Sequence, residues 1–478
     1  MVNNRRFSPT VFLIALLLAF CLSSLGSRAE TAEQPPQFGG DPHLGYGFNV
    51  ASWDVSLIQS VGFDWMKVFD TPSSRLPVNI LLRVNGNAQN LGDLNGYGQQ
   101  IHQLAQNSGA NIEAYEIGNE PNLDANYGWN AAPIAADYAA LLCVAYENIK
   151  EADPTAIVVS AGLAPTGRVQ GNWNGHAGHN GFYQDERQFL LEFLAAGGGD
   201  CVDAIGYHPY GFSADYNAVP DVPSGDPTQN CTNGFCFRGV EKIYELMQAN
   251  GYGDKSVWAT EFGWIVAPPD ECLDDPGWQG RAWQIVSLQQ QAINLVGAFN
   301  YAEAHWPWMG GMFIFNLNFN KSGLYDLCEQ MRYYAVEDRP AEPALGNMAK
   351  NPVPTNPVLG YAPPAINWLV DVDDLPLSTS YPIKLENGGW QPMDYTLSVT
   401  AENGVTVSIP QPSGQVGRLE PVTAQVNLQI NQPLGAYTAT LHIEASPDTT
   451  NAPADIPIEV HVVPEVYRAM MAVVVGGG

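Results

Sequence analysis

Two glutamates close apolar runs in this chain, each where a carboxylate can be held for chemistry. The first lies in Tyr115-Glu116-Ile117-Gly118-Asn119-Glu120-Pro121-Asn122, an apolar run ending in Asn-Glu-Pro. The second lies in Val257-Trp258-Ala259-Thr260-Glu261-Phe262-Gly263-Trp264. A third run, Ala204-Ile205-Gly206-Tyr207-His208-Pro209-Tyr210, ends in a histidine and a tyrosine. Two carboxyl groups across one cleft can divide the work of bond cleavage. One, protonated, delivers a proton to a leaving oxygen; the other, ionised, attacks. Mutual repulsion and unequal surroundings split the pKa values of such a pair. A tyrosine hydroxyl donating to the ionised member keeps its pKa low. Taken singly, each motif has a plainer reading: Glu120 as a helix-cap carboxylate, Glu261 as a surface acid, His208 as a structural residue. Their order and their common place at strand ends favour a site. Glu116 shares a strand face with Glu120 and is expected to point inward in a structural role.

The elements that must position these residues can be read as well. From about residue 44 to 345, short apolar strands alternate with amphipathic helices, the pattern of an α/β fold with parallel strands. Strands are predicted at 45–49, 65–69, 80–84, 112–118, 156–162, 204–207, 256–260 and 311–315. Eight strands make a (β/α)8 TIM barrel, whose active sites collect at the C-terminal strand ends. Glu120 then follows strand four and Glu261 closes strand seven. Ile134, Tyr138, Leu141, Leu142, Ala145 and Ile149 repeat at helical spacing, and Asp153-Pro154 stops that helix. Residues 188–194, 240–248 and 282–295 behave similarly. Only residues 70–78 separate strands two and three, too few for a full helix: either that helix is lost or a strand is misplaced. Residues 1–29 read as a signal peptide, 30–346 as the barrel, 347–363 as a Pro/Asn-rich linker, 364–465 as a β-sandwich of immunoglobulin-like size, and 466–478 as a tail. In the sandwich, Val426, Leu428 and Ile430 alternate with polar residues, as do Tyr437, Ala439, Leu441 and Ile443.

With these motifs the chain resembles the retaining glycoside hydrolases of clan A, families 39 and 5 in particular, over roughly residues 44–345. The resemblance implies that Glu120 is the acid/base, Glu261 the nucleophile, and Asn119 a ligand of the sugar 2-hydroxyl. It also implies that Tyr210 stands near the nucleophile and that His208 orients it or binds sugar. Where the clan has a tryptophan after strand eight, this chain has Phe315, within Met312-Phe313-Ile314-Phe315-Asn316; either Trp306 or Trp308 substitutes, or subsite −1 differs. Lys67 and Arg83 are candidates for the clan's basic residue on an early strand. Trp264 and Asn316 complete the expected substrate contacts. Trp129, Trp173, Trp278 and Trp308 lie in predicted loops, where about half of such rings are expected to meet a ligand and the rest to pack. The implied substrate is a β-linked glycan, and no cofactor or metal is called for. His176 and His179, in a Gly/Asn-rich loop, are read as surface residues.

Composition narrows the setting. Forty-nine acids against twenty bases leave a net charge of −29, a surface that repels nucleic acid and anionic lipid. Arg5 and Arg6, an apolar run from Val11 to Leu22, and Ser27-Arg28-Ala29 read as an export signal cleaved near Ala29, hence a secreted chain. No other stretch is long and apolar enough to span a membrane. Six cysteines then remain, Cys143, Cys201, Cys231, Cys236, Cys272 and Cys328; an even number permits disulfides, with Cys231–Cys236 the best local pair. Residues 165–187 and 212–238 are the longest insertions and are expected to wall the cleft. A monomer is expected. Two other readings stand beside the hydrolase. One is a catalytically inactive barrel that binds polysaccharide. The other is a matrix protein working through its sandwich, where Trp390 is a lone exposed candidate.

Overall fold

The computed structural model describes residues 44–168, 171–176, 179–253, 255–350, 356–389, 391–401, 404–417 and 421–464. The predicted signal peptide and tail, the side chains of Trp173, His176 and His179, and Trp390 lie outside the described residues.

Eight parallel strands close into a barrel: β1 Gly45–Asn49, β2 Trp65–Val68, β3 Asn79–Val84, β4 Ala114–Ile117, β5 Ile157–Ser160, β6 Ala204–Tyr207, β7 Ser256–Phe262 and β8 Met309–Ile314. Each pairs with its neighbours in chain order, and β1 pairs with β8. Among the described residues, seven helices of seven residues or more surround them: α1 Val55–Val61, α2 Leu94–Ser108, α3 Ala135–Ala152, α4 Glu186–Ala195, α5 Val240–Ala249, α6 Leu288–His305 and α7 Ala341–Asn347. Residues 69–78, between β2 and β3, form no helix, so the strands are placed as read and the helix is lost. The predicted helix over 282–295 begins instead at Leu288, where the Ser287 hydroxyl accepts from the Gln290 N–H. Residues 282–284 form a separate 3₁₀ turn, and 285–287 run extended to the helix start.

Strand alternation builds two apolar layers. Trp65, Leu81, Ala114, Ile157, Val159, Ala204, Trp258 and Phe313 fill the barrel interior. Their sequence neighbours, such as Met66, Tyr115, Val158, Ile205 and Ala259, face the helices in the larger core. Three disulfides tie the periphery: Cys143–Cys201, Cys231–Cys236 and Cys272–Cys328. The last joins the loop after β7 to the loop after β8.

The C-terminal part is a β-sandwich with a core of its own. Its strands are β9 Leu359–Ala362, β10 Ile366–Asp371, β11 Leu377–Asn387, β12 Met393–Ala401, β13 Val405–Ser408, β14 Ser413–Val416, β15 Val422–Ile430, β16 Gly435–Ser446 and β17 Ala454–Val463. One sheet runs β9-β11-β15-β13 and the other β10-β17-β16-β12-β14. Val426, Leu428 and Ile430 all point into the core. β9 lies inside the stretch read as linker: its antiparallel pairing with β11 recruits residues whose prolines suggested a spacer. Among the described residues no helix is long and apolar enough to cross a membrane.

Candidate active site

The chain turns sharply after β4. Gly118 has φ +88°, and a Cβ there would stand 2.9 Å from the Gly86 carbonyl oxygen, so glycine is required. Glu120 itself has φ +40°, an uncommon conformation for a side-chain-bearing residue. Its N–H donates to the Gly162 carbonyl at 3.1 Å. Asn122 fastens the turn to the loop after β5, donating to the Ala164 and Gln184 carbonyls and accepting from the Ala164 N–H. The backbone thus holds the Glu120 carboxyl at the C-terminal mouth of the barrel.

Glu261 reaches the same place by a different device. On β7, Ala259 pairs with Met312 and Phe262 with Ile314, so three steps on β7 oppose two on β8. This β-bulge reverses the alternation. Ala259 and Phe262 both face the helices, and Glu261 turns inward between them. There the Tyr210 hydroxyl donates to its Oε2 at 2.9 Å and Lys67 Nζ lies 3.1 Å from its Oε1. Lys67 also pairs with Glu116 at 2.6 Å, and Glu116 accepts from the Gly162 N–H. His208 Nδ1 is 2.9 Å from Glu120 Oε1 and 3.7 Å from Glu261 Oε2. One carboxyl oxygen of Glu120, one of Glu261 and a ring nitrogen of His208 all lie within 4.8 Å of one another.

The electrostatics follow from this packing. Burial raises the pKa of Glu261, but the charges of His208 and Lys67 outweigh it and hold the carboxyl below its ordinary value. Burial acts on Glu116 in the same way, and Lys67 and His208 hold it far below the usual range. Burial opposes charge on His208, but Glu261, Glu116 and Glu120 push it up to about 9. Burial sends the Tyr210 phenol well above its usual value, so it acts as a donor. Lys67 and His208 therefore balance Glu116 and Glu261. Glu120, the carboxyl more open to the cleft, is the third acid of the cluster.

Above the pair opens a cleft of about 990 Å³. Asn119, Glu120, Tyr210 and Glu261 line it. Asn119 donates to the Tyr127 carbonyl at 2.8 Å, and its Oδ1 has no partner. Five residues expected to touch substrate do not reach the cleft. Lys67 and His208 are fully buried beneath the carboxylates and set their charge and orientation. Trp264 is fully buried with its indole N–H on the Ala214 carbonyl. Trp306 precedes β8, at the opposite end of the barrel, and donates to Glu241. Asn316, also buried, donates to the Met331 carbonyl and accepts from the Phe319 N–H, pinning the loop after β8. Trp308 stacks on Tyr244, and neither it nor Trp306 substitutes for a ring after strand eight. Phe315 itself lines the cleft in that position. Trp129 and Trp278 are core residues.

The aromatic wall comes from residues that sequence reasoning passed over. Trp283, 46% exposed, stacks on Phe212 at 5.6 Å and lies beside Phe235. Tyr127, Tyr183, Tyr325 and Tyr334 face the same space. Phe212 and Phe235 come from the 212–238 insertion, as its length suggested. Trp283 was hidden because its segment reads as helix. Glu120, His208 and Glu261 are the one trio among the described residues that could offer ligand atoms to a metal ion. Hydrogen bonds and the adjacent Lys67 ammonium account for their closeness without one.

The fold and site define a (β/α)8 barrel with a carboxylate pair at the C-terminal ends of β4 and β7. No protein-family model matches the chain, and no curated protein matches it. Among solved structures it is similar to a β-glucuronidase of Bacteroides uniformis, at 14% identity and TM-score 0.38, over 89% of this chain and 48% of that one. It is also similar to a glucosidase from Croceicoccus marinus, at 12% identity and TM-score 0.43, over 83% and 97% of the two chains. A third is the β-1,3-glucanase and allergen of Cryptomeria japonica pollen, at 16% identity and TM-score 0.38, over 60% and 94%. The chain spans about half the length of the first of these. Likeness at this level adds nothing to what the strand order already establishes.

Proposed function

We propose that this protein is a secreted glycoside hydrolase that cleaves a β-linked glycan by double displacement, with Glu261 as nucleophile and Glu120 as acid/base. The observation that carries the reading is the carboxyl pair, with one oxygen of each within 4.8 Å of one oxygen of the other on the floor of an open cleft. Retaining enzymes hold the two groups about 5–5.5 Å apart, whereas inverting ones need about 6.5–9.5 Å to admit a water. The unequal surroundings support the division of roles. Glu261, clamped by Lys67 and Tyr210, is kept ionised and ready to attack the anomeric carbon. Glu120, nearer the opening, protonates the leaving oxygen and then takes a proton from the water that releases the glycosyl-enzyme. Asn119, which lines the cleft and whose buried carbonyl oxygen has no partner, is the candidate ligand of the sugar 2-hydroxyl. Three disulfides support action in an oxidising, extracellular setting.

The test is reducing-end release from β-glucans, xylans, mannans, galactans and bacterial exopolysaccharides. Glu261→Ala should abolish it, and Glu120→Gln should slow it about 10²- to 10⁴-fold. Proton NMR of the first product should show the β anomer. Undiminished turnover in Glu261→Ala would sink the assignment. A folded wild type that retains glycan yet releases no ends would favour the inactive, polysaccharide-binding barrel. An inverted product would keep the enzyme and change its mechanism.

A further inference from the structure

Arginines are scarce in this acidic chain, and acids are plentiful partners. Every described lysine and arginine but two donates to a carboxylate or a carbonyl. The two exceptions among the described residues are Arg83 and Arg281, and both line the cleft. Arg281 Nε is shut off from solvent with no acceptor, a costly arrangement for a guanidinium unless something else supplies the oxygen. Its charge is felt at Tyr127, Tyr183 and Tyr334. Arg83 sits 4.7 Å over the Phe69 ring, and its charge is felt at Glu261 and Tyr325. Each guanidinium thus has its apolar or phenolic surroundings in place and its hydrogen-bonding fork unused. A planar fork of this kind matches an oxyanion with two oxygens.

We infer that the cleft takes a glycan bearing an oxyanion, a uronate carboxylate or a sulfate ester, with Arg281 as its first ligand and Arg83 as a second. The inference rests on reading the cleft as a glycan site and names the substrate class within it. Glu329 and Asp275 also line the cleft, and the whole chain carries a net −29. A densely charged polymer is therefore repelled, and the fit is to a largely neutral glycan carrying isolated acidic groups.

The experiment measures binding by calorimetry in the turnover-blocked Glu261→Gln background of the full chain. The probes are glucuronic-acid-bearing xylo-oligosaccharides and sparsely sulfated galacto-oligosaccharides. Each is paired with its carboxyl-reduced or desulfated counterpart. At least one acidic probe should bind about tenfold or more tighter than its neutral partner. That difference should shrink when Arg281→Gln is added, and in part with Arg83→Gln. Whether the uronate or the sulfate pairs show it identifies the oxyanion. Neutral partners binding equally well or better, or no acidic probe binding at all, would overturn the inference. The paired probes decide the matter on the Arg281-containing protein even if an arginine variant fails to fold. An acidic preference without cleavage by the wild type would refute the hydrolase and leave this inference standing. Cleavage of neutral glycans without an acidic preference would do the reverse.

Discussion

Lys67 holds two carboxylates at once, at 2.6 Å from Glu116 and 3.1 Å from Glu261. Both are kept ionised by the same ammonium, which explains why a lysine can be buried completely. Tyr210 adds the second grip on Glu261. A hydrogen bond to the charged form lowers a carboxyl pKa, so its loss raises it. In Tyr210→Phe the acidic limb of the pH–rate profile should therefore move to higher pH, because Glu261 protonates earlier as pH falls. Turnover at neutral pH should drop by about ten- to a hundredfold, the worth of one hydrogen bond to a charged group. An unmoved acidic limb would show that Tyr210 acts only in packing.

The site depends on departures from regular strands. The β7 bulge aims Glu261, and the Gly118–Glu120 turn aims its partner. Between them, Gly162 after β5 leaves room for His208: a Cβ there would fall 2.1 Å from the imidazole. Gly162→Ala should displace the ring, lower kcat/KM more than tenfold and cost about 1–3 kcal/mol of stability through overpacking. Gly346→Ala is the control, since a Cβ in that α7 position meets nothing within 4 Å. It should leave activity unchanged and hold or raise stability. Equal kinetics for the two variants would contradict the role given to Gly162. The Cys272–Cys328 bridge, meanwhile, ties together the two loops that carry Trp283, Arg281 and Tyr334 into the cleft.

At the scale of the whole molecule, the sandwich meets the barrel at its N-terminal end, away from the cleft. Tyr361, Ala362, Lys384 and Glu386 there enclose a small cavity with Trp65, Glu113, Thr155 and Ile157. Arg75, from the helix-less segment between β2 and β3, pairs with Glu113 and feels the charge of Glu386. The sandwich therefore caps barrel surface that a lone barrel would expose. A chain ending at residue 350 should fold around its own core but melt several degrees lower, with kcat on a good substrate little changed. An unchanged melting temperature would mean that the contact contributes nothing.

Much of this was legible in the sequence, because strand period, helix period and turn chemistry are local. The eight strands, and the placing of Glu120 after the fourth strand and Glu261 on the seventh, follow from residues near one another in the chain; the short link between strands two and three was visible too, but only the structure decided that a helix is lost there. The inward-pointing Glu116 belongs with them, since alternation along one strand is enough to place it. What lay beyond reach depended on partners far away in sequence. Trp264, Trp278 and Trp306 look like sugar platforms until their indole N–H groups find Ala214, Cys328 and Glu241. Trp283 looks helical until Ser287 starts the helix after it. The bulge on β7 exists only in the pairing with β8, yet it decides which way Glu261 points. Arg83 and Arg281 differ from the other basic residues only in what fails to surround them. The chain alone determined which residues stand at strand ends. Tertiary structure decided which side chains face the cleft and which go unpaired, because facing and pairing belong to distant segments brought together and not to either segment by itself.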